Sequence, residues 1–471
     1  MNSVIQDMKF RIALVGLVFS LLFWASCERE HYASQSSDVL TFSADTISFD
    51  TIFTEKGSIT QWFQIKNEQD GVIKIDRMFL SEGKSSQFYI NVNGVQGPEI
   101  KNIDIAAGDS IMVFVQTKLN AQKVDTALYH EDFLVVEYNS IQSKVVFTAW
   151  GQDVINYKGT ALNTTTFTAD KPYVIYDSLI VNAGETLTVE SGAKIYMHYG
   201  SNIIVRGTLK MKGTGEKPIS ISSDRLEDTY QLLPGQWGSI IFEPTSKDNE
   251  ICFTMIKNGV NGLVFQGESD NLIQCDINNT QISNMSGYGV YAQNARIDSY
   301  NCVWVNCEYN ILRLQGGWFN SVHNTIYNEG TPQGRKYYPS VYITDDDTIL
   351  SPVQQAHFFN TIIIGTMANE ISMVAKNGDN TLPCLIKNCL LRDTYTKSDS
   401  AYYKENLFYD SEKNLFASHT TFRLDTLSQA MNIGNLEYAN LHPADLLNHS
   451  RTEDGKPDVG AMEYFYEAKQ E

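Results

Sequence analysis

Aromatic and polar residues alternate with apolar ones in several short segments of the second half of the chain. The segments Val290-Tyr-Ala-Gln293, Leu312-Arg-Leu-Gln315 and Val341-Tyr-Ile-Thr344 share this pattern, and a period of two places the apolar residues on one side of a strand. The predicted outward residues of this group are Gln266, Tyr291, Gln293, Arg313, Gln315 and Tyr342. Tyrosine rings stack on pyranose faces, amides satisfy hydroxyl groups, and arginine pairs with a uronate carboxylate. These residue types predict polysaccharide binding, and the alternative is a solvated β-face whose glutamines only stack.

An acidic segment follows the last of these strands. Asp345-Asp-Asp347 lies in an insertion over residues 329–353, which also carries Arg335, Lys336 and two tyrosines. Neighbouring residues on a strand point to opposite faces, so Asp345 and Asp347 are the pair that can converge on Ca²⁺ or serve as acid and base. A solvated acidic loop is the alternative, and no other cofactor is expected.

Catalysis has a weaker basis in the sequence. A polysaccharide lyase needs a base and a group that neutralises a carboxylate, and Arg313, Lys336 and Tyr342 could supply them, although nothing in their spacing demands it. A glycoside hydrolase needs clustered carboxylates, and the predicted outward positions carry none. We therefore assign no catalytic residue and expect a binding or structural module. A lyase or hydrolase on the same face is one alternative, and an adhesin or assembly partner is another.

Repeated segments show what positions these residues. Six segments begin at Phe253, Asn279, Asn301, Asn324, Asn360 and Asn388, with spacings of 26, 22, 23, 36 and 28 residues. Such spacings are typical of the coils of a parallel β-solenoid. The asparagines predict a ladder at a turn, because Asn tolerates turn dihedrals and bonds along a stack. The next position predicts a buried column, made of Thr254, Thr280, Cys302, Thr325, Thr361 and Cys389.

The strand after each repeated turn predicts further inward pairs. These are Leu263/Phe265, Val290/Ala292, Leu312/Leu314, Val341/Ile343 and Ile371/Met373. Of the six cysteines after Cys27, Cys302 and Cys389 are interpreted as small buried residues rather than disulfide partners. His323, just before a repeated turn, is interpreted as structural.

Both ends of the repeated region resemble one known superfamily. Residues 184–192, 203–209 and 217–222 resemble the opening coils of right-handed parallel β-helix proteins of the pectin-lyase-like group, and residues 428–434 and 454–463 resemble its closing segment. The resemblance covers about 300 residues and implies the fold. It implies no activity, because this fold hosts lyases, hydrolases, epimerases and inert adhesins.

The region before the repeats has a different pattern. Short runs rich in β-branched and aromatic residues alternate with turn signals at residues 39–42, 62–65, 71–75, 88–92, 110–115, 133–138 and 144–150. They predict an antiparallel sandwich that is similar to immunoglobulin-like modules, with no chemistry of its own. The predicted fold class is all-β, with a sandwich over residues 38–154, a right-handed parallel β-helix over 155–465 and a tail over 466–471.

The first residues of the chain predict export to the cell envelope. Lys9 and Arg11 precede an apolar run over residues 12–24, which is too short to span a bilayer comfortably. The following Ala25-Ser-Cys27 resembles the lipobox of bacterial lipoproteins, which implies lipidation at Cys27, a signal peptide over 1–27 and a tether over 28–37. The expectation is a Gram-negative outer-membrane lipoprotein, periplasmic or surface-exposed, whose lipid anchor partners the membrane. An ordinary secretory signal is the alternative.

Charge argues against one class of partner. The 471 residues carry a formal net charge of −19, and we find no concentrated basic patch. A phosphate backbone repels such a surface, so nucleic acid is not an expected partner.

Overall fold

The computed structural model describes residues 31–35, 37–268, 271–345, 351–375, 382–394 and 401–465. Two compact units divide the chain between Asp153 and Val154. No helix within these described ranges has the length and apolar character needed to cross a bilayer. Cys27 and the predicted leader lie outside the described residues.

The first unit is a β-sandwich of two five-stranded sheets, counted over the described residues. The first sheet contains β1 (Leu40–Phe42), β3 (Gln61–Asn67), β5 (Phe88–Val92), β6 (Val95–Gln96) and β8 (Ser110–Thr117). The second contains β2 (Thr46–Phe53), β4 (Ile73–Leu80), β7 (Glu99–Ile105), β9 (Leu128–Tyr138) and β10 (Ile141–Gln152). A 3-10 turn spans Gly83–Ser85.

Strand alternation explains the sandwich. Buried and more exposed side chains alternate along strands such as β3 and β5, and rings such as Phe63, Phe88 and Phe147 meet between the sheets. All seven predicted runs correspond to strands. The sequence reasoning missed β2, β6 and β7, and β2 pairs with β10 in parallel rather than antiparallel fashion.

The second unit is a solenoid in which three parallel strands recur in each coil. One large sheet bends around two sides of it. Its strands are β11 (Ile155–Leu162), β13 (Tyr173–Val181), β15 (Lys194–Met197), β16 (Asn202–Val205), β18 (Ile219–Ser223), β19 (Ile240–Phe242), β21 (Thr254–Lys257), β22 (Leu263–Gln266), β24 (Gln281–Met285), β25 (Val290–Gln293), β27 (Val303–Cys307), β28 (Leu312–Gln315), β30 (Thr325–Asn328), β31 (Val341–Thr344), β33 (Ile362–Gly365), β34 (Ile371–Val374), β36 (Leu390–Leu391) and β38 (Leu407–Phe408).

A second sheet forms the third side of the solenoid. Its strands are β12 (Thr165–Phe167), β14 (Thr186–Glu190), β17 (Thr208–Lys212), β20 (Asn249–Cys252), β23 (Ile273–Asn278), β26 (Ala295–Tyr300), β29 (Gly317–Val322), β32 (Val353–Phe359), β35 (Cys384–Lys387) and β37 (Tyr403–Lys404). A 3-10 turn spans Asp228–Tyr230, and helix α1 (Leu436–Leu441) lies in the closing segment.

Side chains from the three sides fill the interior coil upon coil. The five predicted inward pairs pair with one another in register, and four of the five are buried, while Met373 of the last pair is only partly buried. Cys302 and Cys389 are buried and free, and burial raises the pKa of each thiol to about 12. The predicted fold class, an all-β chain with an immunoglobulin-like sandwich and a parallel β-helix, is confirmed.

The repeated turn has a left-handed residue at a fixed place. Asn279, Asn301, Asn360 and Asn388 all have φ between 46° and 54°, a region that asparagine tolerates better than most residues. The fifth predicted member, Asn324, is wrong. Val303 pairs with Thr325, so His323 (φ 52°) holds the turn position.

This one-residue slip moves the next residues of the same coil. Asn324 takes the place in the buried column that was predicted for Thr325, and Ile326 faces the interior. His323 is fully buried beside Asn360, with its Nε2 3.0 Å from the amide nitrogen, and burial holds the pKa of His323 well below its ordinary value. The structural interpretation of His323 is therefore confirmed.

A closing segment covers one outer side of the solenoid, which we call the covered face: the outward side chains of β27, β30, β33 and β36. Val303, Val305, Tyr327, Ile362 and Ile364 pack there against apolar side chains of residues 415–462. The residues from the closing segment are Leu415, Phe416, Phe422, Leu424, Ala430, Leu446, Val459, Ala461 and Met462. These side chains are therefore not a free docking surface.

Buried polar groups fasten this segment. Arg451 is fully buried and donates from its two terminal nitrogens to Glu463 Oε1 at 2.8 Å and to Asn301 Oδ1 at 2.9 Å. Asn360 and Asn435 exchange two hydrogen bonds, both 2.9 Å long. Asn301 and Asn360 thus hold the closing segment in addition to shaping their turns.

Candidate functional site

Another outer side carries the predicted polar and aromatic residues, and we call it the aromatic face: the outward side chains of β22, β25, β28 and β31 with the turns that precede them. Tyr291, Arg313 and Tyr342 are paired in register on three consecutive strands. Neighbouring strands lie roughly 4.8 Å apart, so these three side chains form one continuous column.

A second column runs beside the first. Gln266, Gln293 and Gln315 are paired in register along the same strands. The structure thus brings all six predicted residues together on one surface.

Arg313 lies between aromatic rings. Its guanidinium carbon is 4.7 Å from the centre of the Tyr342 ring and 5.9 Å from that of Tyr288. A planar cation at these distances is attracted by the ring faces, which hold it in place at the surface. The geometry therefore presents a fixed positive charge in the middle of the aromatic face.

Further tyrosines extend the surface. The rings of Tyr288 and Tyr309 are 5.6 Å apart, and those of Tyr309 and Tyr338 are 5.1 Å apart and stacked. Tyr288 also lies 5.4 Å from Tyr291. Sequence reasoning did not include Tyr288 or Tyr309. The sequence does indicate both, because Tyr288 lies three positions before Tyr291 and Tyr309 lies four positions before Arg313.

One hydrogen bond orders the face internally. The hydroxyl of Tyr291 donates to Gln315 Oε1 at 2.5 Å. Burial raises the pKa of Tyr291, and the nearby positive charge of Arg313 only partly opposes that shift. The phenol is therefore a poor base near neutral pH, which weakens the lyase alternative.

The insertion beside the face is fastened by a buried ion pair. Arg335 Nη2 lies 2.6 Å from Glu370 Oε2, and the Glu370 side chain is fully buried. The same arginine nitrogen donates to the carbonyl of Tyr338 at 3.0 Å, which fixes the turn that carries that ring. Arg335 is a scaffold residue, and Lys336 is exposed, with its backbone N–H bound to the Glu308 carbonyl.

The acidic segment yields no metal centre within the described ranges. Asp347 lies outside the described residues, and the backbone N–H of Asp345 donates to the Val374 carbonyl at 3.3 Å. The described residues contain no group of three or more His, Cys, Asp or Glu side chains arranged to hold a metal ion.

The third outer side contains carboxylates that sequence reasoning missed. We call it the acidic face: the outward side chains of β20, β23, β26, β29 and β32. Glu250, Asp276 and Asp298 pair in register, and Asn320 and His357 continue the column. The expectation of no outward acid covered only one side of the coil. Each coil has three sides, so the same alternation had to be applied to all of them.

Asp298 has a distinct environment in this column. Desolvation raises its pKa, whereas a hydrogen bond from Asn320 and the charge of Arg296 act in the opposite direction. Arg296 in turn lies 4.6 Å from the centre of the Trp318 ring. A carboxyl group with a raised pKa beside a second carboxylate is the pairing that general acid catalysis uses.

Comparisons with known proteins give no family. No family model and no curated protein matches the chain. Among solved structures, a family 123 glycoside hydrolase from Clostridium perfringens is 5% identical, with a TM-score of 0.19, over 26% of this chain and 30% of that one. The catalytic domain of a GH87 α-1,3-glucanase is 10% identical, with a TM-score of 0.14, over 74% of this chain and 91% of that one.

Another solved structure matches at similar strength. The periplasmic chaperone SfaE is 10% identical, with a TM-score of 0.17, over 24% of this chain and 57% of that one. This chain thus spans less than a third of the first hydrolase and just over half of the chaperone. Similarities of this size carry no argument about activity.

Proposed function

We propose that this protein is a lipid-anchored component of the cell envelope that binds an anionic polysaccharide through the aromatic face without cleaving it. The observation that carries the proposal is the position of Arg313 between the rings of Tyr342 and Tyr288. A sugar chain with carboxylates needs ring faces for its apolar sides and a cation for its charge. This surface offers both within a few ångströms.

The glutamine column complements that arrangement. Each side-chain amide carries donors and an acceptor, which match the hydroxyl groups of a sugar. Coil spacing presents Gln266, Gln293 and Gln315 at regular intervals, as a repeating polymer requires. Regular presentation favours a chain over a single small molecule.

Two features support binding without cleavage. The pKa of Tyr291 is raised, which disfavours the phenolate that a lyase would use. Glu243, which directly follows β19, forms an ion pair with Arg206, whose Nε lies 2.7 Å from Glu243 Oε2. That carboxylate is therefore occupied by a cation, which also favours binding without cleavage.

The location in the cell envelope is proposed from the predicted signal peptide. Acylation at Cys27 would anchor the protein, since each buried methylene contributes about 0.8 kcal/mol. Metabolic labelling with a radioactive fatty acid should label the wild-type protein and leave Cys27→Ser unlabelled. Labelling of both proteins would contradict the anchor.

The binding proposal is tested by affinity electrophoresis of the full chain in gels that contain polygalacturonate or alginate. Wild type should be retarded, and Arg313→Gln and Tyr342→Ala should each reduce retardation at least tenfold. Arg296→Gln is the matched control, because Arg296 also lies over a ring but on the acidic face. Equal retardation of Arg313→Gln and wild type would overturn the proposal.

A glycoside hydrolase is the second candidate, because the acidic face aligns Asp276 with Asp298 and raises the pKa of Asp298. Incubation of the protein with neutral and acidic polysaccharides should then release reducing ends, and Asp298→Asn should abolish the release. Release that persists in Asp298→Asn, or no release from wild type, would reject this candidate.

A further inference from the structure

The first sheet of the sandwich carries large exposed rings on its outer side, and we call Trp62, Tyr89 and Phe114 the sandwich ring patch. Trp62 on β3 pairs with Phe114 on β8, and Tyr89 on β5 pairs with Gln116 of β8, two residues beyond Phe114. Trp62 and Tyr89 are each 55% exposed and Phe114 is 38% exposed. Three such rings on adjacent strands form one surface rather than scattered exposures.

Core packing does not require these rings. The inward neighbours of Trp62 and Tyr89 are Phe63 and Phe88, which already fill the space between the sheets. Cross-strand ring pairs stabilise a sheet by only about 0.2–1 kcal/mol. Sheet stability alone therefore gives little reason to expose three rings to water.

A cavity opens beside the patch. Its volume is about 630 Å³, within the size range of ligand pockets, and Tyr89 and Phe114 form part of its wall. Polar side chains complete the wall: Thr60, Asn91, Gln96 and Gln116. Among the residues that line it, all of which the structure describes, Lys84 supplies the single charge.

One of the amides is held in place. Gln116 donates from its side-chain nitrogen to Thr60 Oγ1 at 2.7 Å. A fixed amide beside ring faces is the combination that matches a sugar, and the residues of the wall, all of them described, include no carboxylate. The cation of this wall, Lys84, is exposed to solvent, whereas Arg313 on the aromatic face of the solenoid is held between two rings and favours an acidic chain.

We propose that the sandwich ring patch and its cavity form a second glycan-binding site, selective for a neutral polysaccharide. This site is independent of the solenoid site, because the two lie in separate compact units and share no residue. The sandwich is then a binding domain and not merely a spacer. An extended peptide is the alternative ligand for this site, and the experiment below distinguishes it from a polysaccharide.

The second sheet provides a matched control. Tyr129 and Trp150 are similarly exposed there, at 48% and 45%, and their rings lie 5.3 Å apart. The hydroxyl of Tyr129 is bound to Glu131 at 2.7 Å, which places a carboxylate beside that pair. This pair therefore tests whether exposed rings alone, without the amides of the cavity wall, are enough for binding.

The experiment is affinity electrophoresis of the full chain in gels that contain soluble β-glucan, galactomannan or xylan. At least one of these neutral polymers should retard wild type, and Trp62→Ala with Tyr89→Ala should reduce retardation at least tenfold. Trp150→Ala and Arg313→Gln should both behave as wild type. Because Arg313→Gln should leave the binding of neutral polymers unchanged, failure of this site is distinguishable from failure of the solenoid site.

A second measurement distinguishes a lost binding site from misfolding of the double variant. The neutral polymer that retards wild type should change tryptophan fluorescence, and Trp62→Phe should lose most of that change while keeping the thermal midpoint. The proposal is overturned if no neutral polymer retards wild type, or if the double variant is retarded equally. It is also overturned if Trp150→Ala loses as much, or if only unstructured peptides bind.

Discussion

The aromatic face and the covered face are built from the same coils, yet their outward residues differ in solvent exposure. On the covered face, Val303, Ile362 and Ile364 point outward and are buried by the closing segment. On the aromatic face, Arg313 and Tyr342 occupy comparable strand positions and remain partly exposed. Interior packing is alike under both faces, since strands of both faces contribute to one continuous core.

The difference teaches where function can be sought in a solenoid. Inward side chains are dictated by packing, so they report stability. Outward side chains that are apolar need a cover, and in this protein the cover is the closing segment. Outward side chains that combine rings with amides and a cation need no cover, and these are the ones that can contact a ligand.

The largest expected effect comes from removing the cover. Arg451→Ala removes the donor to the buried oxygens Glu463 Oε1 and Asn301 Oδ1, and each buried acceptor that loses its donor costs about 1–3 kcal/mol. Urea unfolding should show this loss, while retardation by polyuronate should persist below the transition. The control is Arg206→Ala, whose exposed pair with Glu243 should cost less than about 1 kcal/mol. Equal losses for the two variants would mean that the covered face is not held by Arg451.

The turn column should give the next effect. Asn279 has φ 48°, so Asn279→Ala should destabilise the protein by about 1–2 kcal/mol, because a Cβ without a compensating polar group disfavours the left-handed region. Asn279→Gly should cost less, since glycine tolerates that region. If glycine costs as much as alanine, the hydrogen-bonded ladder and not the turn explains the asparagine.

Much of this turn geometry could be predicted from sequence, and one coil shows why not all of it could. Period-two alternation predicts every inward pair from Leu263/Phe265 to Ile371/Met373 because packing demands it. Residue type alone assigns Asn324 to the turn, because the other turns of the motif carry asparagine. The strand register instead places the preceding residue, His323, at the turn. Backbone pairing, which the residue types do not report, decided between the two.

Long-range partners were beyond such reasoning for a different reason. Arg451 meets Asn301 across 150 positions, and Arg335 meets Glu370 across 35. No local period links these residues, so only the folded chain brings them together. The strand residues of the aromatic face were predictable, whereas Tyr288 and Tyr309 were missed because period-two alternation describes strands and not the turns before them.

Titration of Glu463, the partner of Arg451, should give a smaller and graded effect on the free energy of unfolding. Burial raises the pKa of Glu463 to about 8, with the charge of Asp458 acting in the same direction, against an ordinary value of 4.5. The folded state then binds more protons than the unfolded state between these values, so stability falls as pH rises towards 8. The slope is at most about 1.4 kcal/mol per pH unit for one proton.

The window from about pH 6.5 to 8 isolates this group from the histidines. Burial lowers the pKa of His323 and His442, so both act below that window, where their contribution to stability rises with pH. Thermal midpoints should fall across the window in wild type and fall less in Glu463→Gln. Parallel curves for the two proteins would contradict the assignment.

The smallest effect concerns a single hydroxyl on the aromatic face. Tyr291→Phe removes the bond to Gln315 while keeping the ring, and a hydrogen bond of this kind contributes about 0.5–1.5 kcal/mol. Polyuronate affinity should fall by a few-fold, less than for Arg313→Gln. Gln315→Ala should weaken binding more in calorimetry, because it removes a proposed sugar contact as well as this bond, and a full loss of binding in Tyr291→Phe would mean that the hydroxyl itself contacts the ligand.

The most direct test is isothermal titration of a soluble oligouronate into wild type, Arg313→Gln and Arg313→Lys, at low and high salt. If the aromatic face holds a carboxylate at a guanidinium fixed between rings, Arg313→Gln should weaken binding at least tenfold with an unchanged thermal midpoint. Arg313→Lys should recover only part of the affinity, because an ammonium keeps the charge but not the stacked, bidentate geometry. Affinities that are the same for all three proteins would contradict the account.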